Sequence, residues 1–334
     1  MAFVLLCLIA LCACQKRAIR LHIEEAEEHR VAGRFEEAIR EYGQVLMLDS
    51  ADVNALNNIG FLHVRMARPD SAMKYYRAAI HTDSTVAEAH YNSGVLFVGM
   101  GAFDSARAAY ERAIRHDPRH VAAHNNLGSL LERGGRVTAA LGHFERSTDL
   151  DSTFVTAWIN VGRTRFMMGR LVEAAQAYLK ALSLKPDLVD AHTNLAGVYV
   201  ETGDLDRAIH HLERATLLAP ASGAIKEGLA EVVAMRNDRD RRRAGGEMRA
   251  RHIVVKSEAL ASSLLQRIRS GENFAALART HSADPSAASG GDIGAFKPGD
   301  LLPEFEERVK ELPPGGVGGP FQTAMGWHII ERTY

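Results

Sequence analysis

Three side chains in the last third of the chain have the types needed for acid–base or electrostatic chemistry: His252, Asp284 and His328. Histidine is the side chain whose ordinary pKa lies closest to neutrality, and a carboxylate can bias an imidazole or a reacting amide. In isolation each has a plainer use. Asp284 precedes Pro285 and suits a turn, while His252 and His328 suit satisfied core histidines. Two imidazoles and a carboxylate are also the donors of a non-haem Fe(II) site. Other residues narrow the field. Cys7, Cys12 and Cys14 all fall in the first fourteen residues, so the folded domains hold no disulfide framework, thiolate metal site or cysteine nucleophile. The fifteen histidines show no HExxH or other compact ligand spacing, and the twelve before residue 250, His63, His90, His124 and His192 among them, read as structural. The glycine run Gly290-Gly291-Asp292-Ile293-Gly294 lacks the Lys-Ser/Thr that completes a phosphate loop.

These residues need elements to position them. Arg251–Lys256 is β-branched and apolar, which predicts a strand carrying His252. Ser257–Ser270 has helical periodicity through Leu260, Leu264, Leu265 and Ile268, and stops at Gly271. Asn273 can cap a second helix over Phe274–Thr280. The small, Pro/Gly-rich loop Ser282–Gly291 holds Asp284. A strand follows near Ile293, then a short helix near Pro303–Leu312, a turn at Pro313-Pro314-Gly315-Gly316, and two strands flanking Met325-Gly326. Periodicity alone makes this an α/β domain.

Upstream, one alanine recurs every 34 residues without insertion or deletion: Ala38, Ala72, Ala106, Ala140, Ala174 and Ala208. Four residues after each stands a large apolar group: Tyr42, Tyr76, Tyr110, Phe144, Tyr178 and Leu212. Twelve before, from the second unit on, is a small one: Gly60, Gly94, Gly128, Gly162 and Ala196. Five before is glycine at Gly33, Gly101, Gly135, Gly169 and Gly203, with Ala67 the exception. Such spacing predicts pairs of helices, A and B, with a positive-φ residue at the turn and small residues where the helices approach. The aromatic is expected to fill the gap to the neighbouring unit. No unit can bury its apolar face alone, so stacking is obligatory. Asn58, Asn92, Asn126, Asn160 and Asn194 share one position on five successive A helices. This row either offers carboxamides to the backbone of an extended peptide or serves as ordinary amides, solvated or bonded to the next helix.

Composition bounds the partners. The chain has 334 residues, 46% hydrophobic and 24% charged, with 40 Lys+Arg against 41 Asp+Glu. A net charge near zero excludes nucleic acid as the main partner, since binding it needs a concentrated basic surface. Gly223–Met235 has Ile225, Leu229, Val232 and Val233 at helical spacing and reads as a capping helix. The charged stretch from Arg236, ending in Gly245-Gly246, reads as a helix end and hinge, with a basic patch for anionic lipid as the weaker alternative. The first thirteen residues are apolar and uncharged, too short to span a bilayer as a helix, and suit the core of an export signal.

The repeat pattern over Ile19–Ser222 resembles tetratricopeptide repeats, and its asparagine row is similar to the ladder in the repeats of the O-linked N-acetylglucosamine transferase. From about Glu247 the segments RHIVVK, GENFAALARTHSADPSA, GGDIGAF, PEFEERVKEL and GPFQTAMGWHII resemble, in order and spacing, the parvulin (PpiC/rotamase) peptidyl-prolyl isomerases. Leu11-Cys12-Ala13-Cys14 resembles a bacterial lipobox, which implies lipidation of Cys14; Cys12 and the lack of a preceding Lys or Arg depart from that pattern.

Together these resemblances imply a signal and lipidation site over 1–14, an α-solenoid of six helix pairs over 19–222, a capping helix and linker over 223–246, and a small α+β parvulin domain with a four-stranded antiparallel sheet over 247–334. The parvulin resemblance implies catalysis-linked roles for His252, His328, Asp284 and Thr323. Asp284 is expected beside the isomerising amide. Leu301 and Phe305, with Leu302 beside them, are the implied walls of a proline pocket, and Lys256 is a basic residue at its mouth. No metal and no cofactor is implied. The basic loop that selects phosphorylated substrates is absent, because Lys256 leads directly into the helix. Met325 stands where some relatives carry serine. The expected protein is a lipid-anchored foldase of the bacterial envelope, on the outer-membrane side where there are two membranes, since Gln15 replaces the aspartate of inner-membrane retention. Its partners are proline-containing unfolded or extended chains. The alternative is a non-catalytic repeat scaffold in an envelope complex, with the parvulin domain only reading peptides.

Overall fold

The computed structural model describes residues 2–244 and 247–334, with side chains from residue 13 to 241 and from 247 onward. Two compact units divide the chain, residues 1–151 and 152–334. Gly245-Gly246, read as part of a hinge, and the side chains of the apolar segment through Cys12 lie outside the described residues. No described helix is long and apolar enough to cross a membrane.

The first unit is a succession of antiparallel helix pairs: α1 (Ala2–Val31) with α2 (Phe35–Leu48), α3 (Val53–Arg65) with α4 (Pro69–Thr82), α5 (Ala87–Gly99) with α6 (Phe103–His116), and α7 (Val121–Arg133) with α8 (Val137–Leu150). The turn between paired helices is a left-handed residue, Gly33 at φ 74°, Gly101 at 73° and Gly135 at 74°. Ala67 holds the same conformation at φ 56°, which costs an L-residue about 1–2 kcal/mol.

The helix-B aromatic makes a contact within its own pair besides the expected one with the next. Its ring lies over the glycine of helix A in its own pair. A Cβ on Gly60 would meet Tyr76 at 2.6 Å, and one on Gly94 would meet Tyr110 at 2.5 Å. The ring also packs toward the next pair, Tyr42 clustering with Ile59 and Leu62 and Tyr76 with Leu96, and its hydroxyl is bonded there, where Asn58 donates to Tyr42 Oη at 3.1 Å and Asn126 to Tyr110 Oη at 3.4 Å.

The second unit continues with α9 (Val155–Met167), α10 (Leu171–Leu184), α11 (Val189–Glu201) and α12 (Leu205–Leu218). Here α13 (Gly223–Ala244) places Val232 and the half-buried Ile225, Leu229 and Val233 on the apolar cluster of α11 and α12. The charged stretch after Met235 is helical as far as Ala244, and Arg239 bonds Asp206 at 3.2 Å.

After α13 comes a four-stranded antiparallel sheet in the order β2-β1-β4-β3, built from β1 (Met248–Val255), β2 (Asp292–Phe296), β3 (Val317–Thr323) and β4 (Gly326–Arg332). Side chains alternate between its faces. Ile253, Val255 and Ile329 pack under α14 (Glu258–Arg269) and α15 (Phe274–His281). Ala250 and Ile330 point the other way, onto Phe305 and Val309 of α16 (Pro303–Glu311). Ser257 caps α14 and Asn273 caps α15. β1 begins three residues earlier than its apolar run, because Met248 and Ala250 are buried between the paired strands and α16.

Candidate active site

The strand register brings the two histidines together. Val254 pairs with His328 and His252 with Ile330, so His252 and His328 are diagonal neighbours on one face of the sheet. Their ring centroids are 5.6 Å apart, and both side chains are buried. Phe305 meets His252 edge-on at 5.7 Å, and Phe321 on β3 stacks on His328 at 5.2 Å.

The loop carrying Asp284 is tied to β1. Ser282 Oγ accepts from Val254 N at 3.0 Å, and Ala283 N donates to Val254 O at 2.8 Å. Asp284 caps the short 3-10 turn Pro285–Ser289, accepting from Ser286 N at 2.8 Å, and so fills the plain turn role. It also lies 2.9 Å from His252 Nε2, off the axis of the ring N–H. Behind this loop Gly291, at φ 82°, has no room for a Cβ, which would run into the His252 carbonyl.

Electrostatics separate the groups. Burial would raise the Asp284 carboxyl, but Ser286 and His252 outweigh it and hold the pKa below the usual carboxylate range, so Asp284 is an anion at neutral pH. His328 is pushed down to about 4, first by burial and then by His252, against a smaller opposing pull from Asp284. It is therefore a neutral imidazole, and its Nε2 shares a 2.7 Å hydrogen bond with Thr323 Oγ1, which also accepts from Met325 N at 3.1 Å. Among the described residues, His252 Nδ1 and His328 Nδ1 are buried without protein partners.

Against this face opens a cavity of about 170 Å³, lined by His252, Ile293, Leu301, Leu302, Phe305, Thr323, Met325 and His328. Of the residues singled out in the sequence, His252, His328, Thr323, Leu301, Leu302 and Phe305 converge here. Asp284 does not line the cavity. It stands behind His252, because its backbone is committed to the turn. Lys256 is exposed at the end of β1 and is not among the lining residues.

Four contributors lie outside the site residues that the sequence singles out, Ile293 of the cavity lining among them. Phe321 shares strand parity with Thr323, a signal that was available. Met325 was noted only as a departure, yet it is 58% exposed at the opening beside Leu302, 59% exposed. Glu306 is buried, and its carboxylate accepts from Gly299 N at 2.9 and 3.1 Å and from Leu301 N at 2.9 Å, which fixes the cavity wall at Leu301.

The asparagine row makes some of the inter-helix bonds of its second reading. Asn58 and Asn126 donate to tyrosine hydroxyls, and Asn92 donates to Asn57 Oδ1 at 3.0 Å. Asn160 is buried and Asn194 half-buried. Inter-helix bonding is the use the first three display.

Comparison with known proteins identifies both parts of the chain. The PPIC-type PPIase domain model matches residues 251–334, and tetratricopeptide-repeat models match 23–87, 91–153 and 165–232. The chain joins tetratricopeptide repeats to a PPIC-type PPIase domain. The PPIC-type part is 42% identical over 95 residues to chaperone SurA of Nitrosococcus oceani, covering 25% of this chain and 22% of that protein. It is 45% identical over 94 residues to chaperone SurA of Aromatoleum aromaticum, covering 25% and 21%. The match thus spans about a fifth of the length of these curated relatives. The repeat part has the fold of the solved structure of Pseudomonas aeruginosa PilF, at TM-score 0.60 and 19% identity, covering 65% of this chain and 99% of that one.

Proposed function

We propose that the C-terminal domain is an active peptidyl-prolyl cis/trans isomerase for unphosphorylated X-Pro bonds, and that the repeats hold extended polypeptide for it. The observation that carries this reading is the apolar cavity closed on one side by the neutral His328–Thr323 pair and by His252 with anionic Asp284 behind it. The reaction needs no covalent step. Its barrier is rotation about a bond with partial double-bond character, about 18–20 kcal/mol, and a thousandfold acceleration requires about 4 kcal/mol.

Leu301, Phe305, Ile293 and Met325 bind the proline ring and exclude water. Resonance in the planar amide places negative charge on the carbonyl oxygen, and twisting removes it. Negative charge behind His252 therefore disfavours the planar state more than the twisted one, which is differential binding of the transition state. Neutral His328, held by Thr323, keeps a second imidazole at the reacting bond without adding charge.

The repeats raise the effective concentration of prolines at the site. In this reading a lipid attached to Cys14, whose side chain is exposed, anchors both parts at the bacterial envelope. Refolding of a proline-limited protein in the presence of the full chain tests the joined roles: acceleration beyond that seen with short peptides is expected, and none would refute capture by the repeats. Labelling of Cys14 by palmitate in a bacterial host tests the anchor.

A further inference from the structure

Far along the chain from the isomerase domain, the first helix pair gathers one imidazole nitrogen and two carboxylates around a point. His22 Nδ1 lies 2.8 Å from Glu41 Oε2 and 3.9 Å from Glu25 Oε2. One ligand atom from each of the three residues lies within 4.8 Å of the others. His22 and Glu25 share a face of α1, three residues apart, and Glu41 comes from α2. We propose that His22, Glu25 and Glu41 form a binding site for a divalent transition-metal cation, best matched by zinc.

Donor chemistry supports this assignment. A nitrogen and two carboxylate oxygens are ligands zinc accepts, and three protein ligands leave a fourth position for water. Magnesium and calcium prefer oxygen alone, so the imidazole selects against them. Spacing supports it too. A tetrahedral centre with bonds of about 2.0–2.1 Å separates its ligands by about 3.3–3.4 Å, and the two measured separations fall on either side of that value.

Charge is the third observation. The arginines near this pair are committed elsewhere: Arg20 to Glu24, Arg30 to Glu27 and Arg40 to Glu37. Among the described residues, neither Glu25 nor Glu41 has a Lys or Arg within 4.0 Å. Two carboxylates therefore face one imidazole, and a divalent cation would balance them. Side-chain exposures of 28% for His22, 47% for Glu25 and 24% for Glu41 leave the site a path from solvent. Bound metal would clip α1 to α2 and add its binding energy to the folded state.

The test is calorimetric titration of the full chain with zinc chloride under excess magnesium, repeated on His22→Gln, Glu25→Gln and Glu41→Gln. Wild type is expected to bind one zinc at this site with micromolar affinity or tighter and to melt a few degrees higher with zinc. Each substitution should weaken that binding at least about tenfold, while His124→Gln should not. Cobalt(II) in place of zinc should give the visible bands of a tetrahedral centre in wild type and lose them in Glu41→Gln. Absence of micromolar binding in wild type, or binding and cobalt bands unchanged in all three variants, would overturn the proposal and leave an ordinary His–carboxylate ion pair.

Discussion

Asp284 Oδ1 lies 2.9 Å from His252 Nε2, and His252, not Asp284, faces the cavity. Under the proposed function the carboxylate acts through the imidazole. Asp284→Asn keeps an oxygen to cap the turn at Ser286 and removes only the charge. We expect kcat/KM for an Ala-Pro peptide to fall about tenfold or more, a loss of at least about 1.4 kcal/mol in transition-state stabilisation, with little change in Tm. The ¹⁵N shifts of the His252 ring should move with it. Unchanged ring shifts with unchanged kcat/KM would leave Asp284 as a turn cap alone.

Glu306 offers a second positioning test. Its carboxylate is held below the usual range, first by the Leu301 N–H and then, against burial, by Gly299 and Lys310. Glu306→Gln should weaken the grip on the 299–301 loop and loosen the Leu301 wall. A severalfold rise in KM with a smaller change in kcat is expected in peptide kinetics. A loss confined to kcat would mean the residue serves something other than the pocket.

Within the repeats, a methyl at position 94 must displace the Tyr110 ring. Gly94→Ala should destabilise by about 1–3 kcal/mol, the usual cost of overpacking. Adding Tyr110→Leu should recover part of that loss, because the sixth repeat already pairs Ala196 with Leu212. Thermal melts of both variants read the coupling; simple additivity would contradict the contact.

Acid should weaken the sixth pair. His211 Nδ1 lies 3.0 Å from His192 Nδ1, and His192 Nε2 lies 3.0 Å from Pro186 O. The His211 pKa is pushed down to about 4, first by burial and then by His192 and His210; Tyr199 stacks on its ring, with Arg207 over Tyr199. A depressed histidine pKa means that the unfolded chain binds more protons between pH 6.5 and about 4. The stability is full above pH 6.5 and is lost as pH falls toward 4, by roughly 3 kcal/mol at most. Melts at pH 7.5 and 4.5 should show a smaller acid-induced drop in Tm for His211→Gln than for wild type. Equal drops would place the acid sensitivity elsewhere.

The 34-residue step was legible because the contacts that hold a helix pair, such as Gly94 with Tyr110, lie sixteen residues apart and recur with the repeat. The histidine pair was legible from motif order, and its diagonal placement follows once β1 and β4 are paired. The position of Asp284 was not, since sequence spacing cannot tell the cavity's lining from the layer behind it. Glu306 reads as one acid among several in PEFEERVKEL, and only the folded loop turns its carboxylate onto two backbone N–H groups. The asparagines read equally well as ladder or packing, because the difference lies in which way Tyr42 and Tyr110 carry their hydroxyls.

The most direct test of the central claim is a protease-coupled isomerisation assay on an unphosphorylated Ala-Pro peptide. It compares the full chain with His328→Ala and Asp284→Ala, with folding checked by circular dichroism. Acceleration by wild type that collapses in both folded variants is the predicted result. A well-folded wild type that leaves the uncatalysed rate unchanged, or variants as active as wild type, would contradict it.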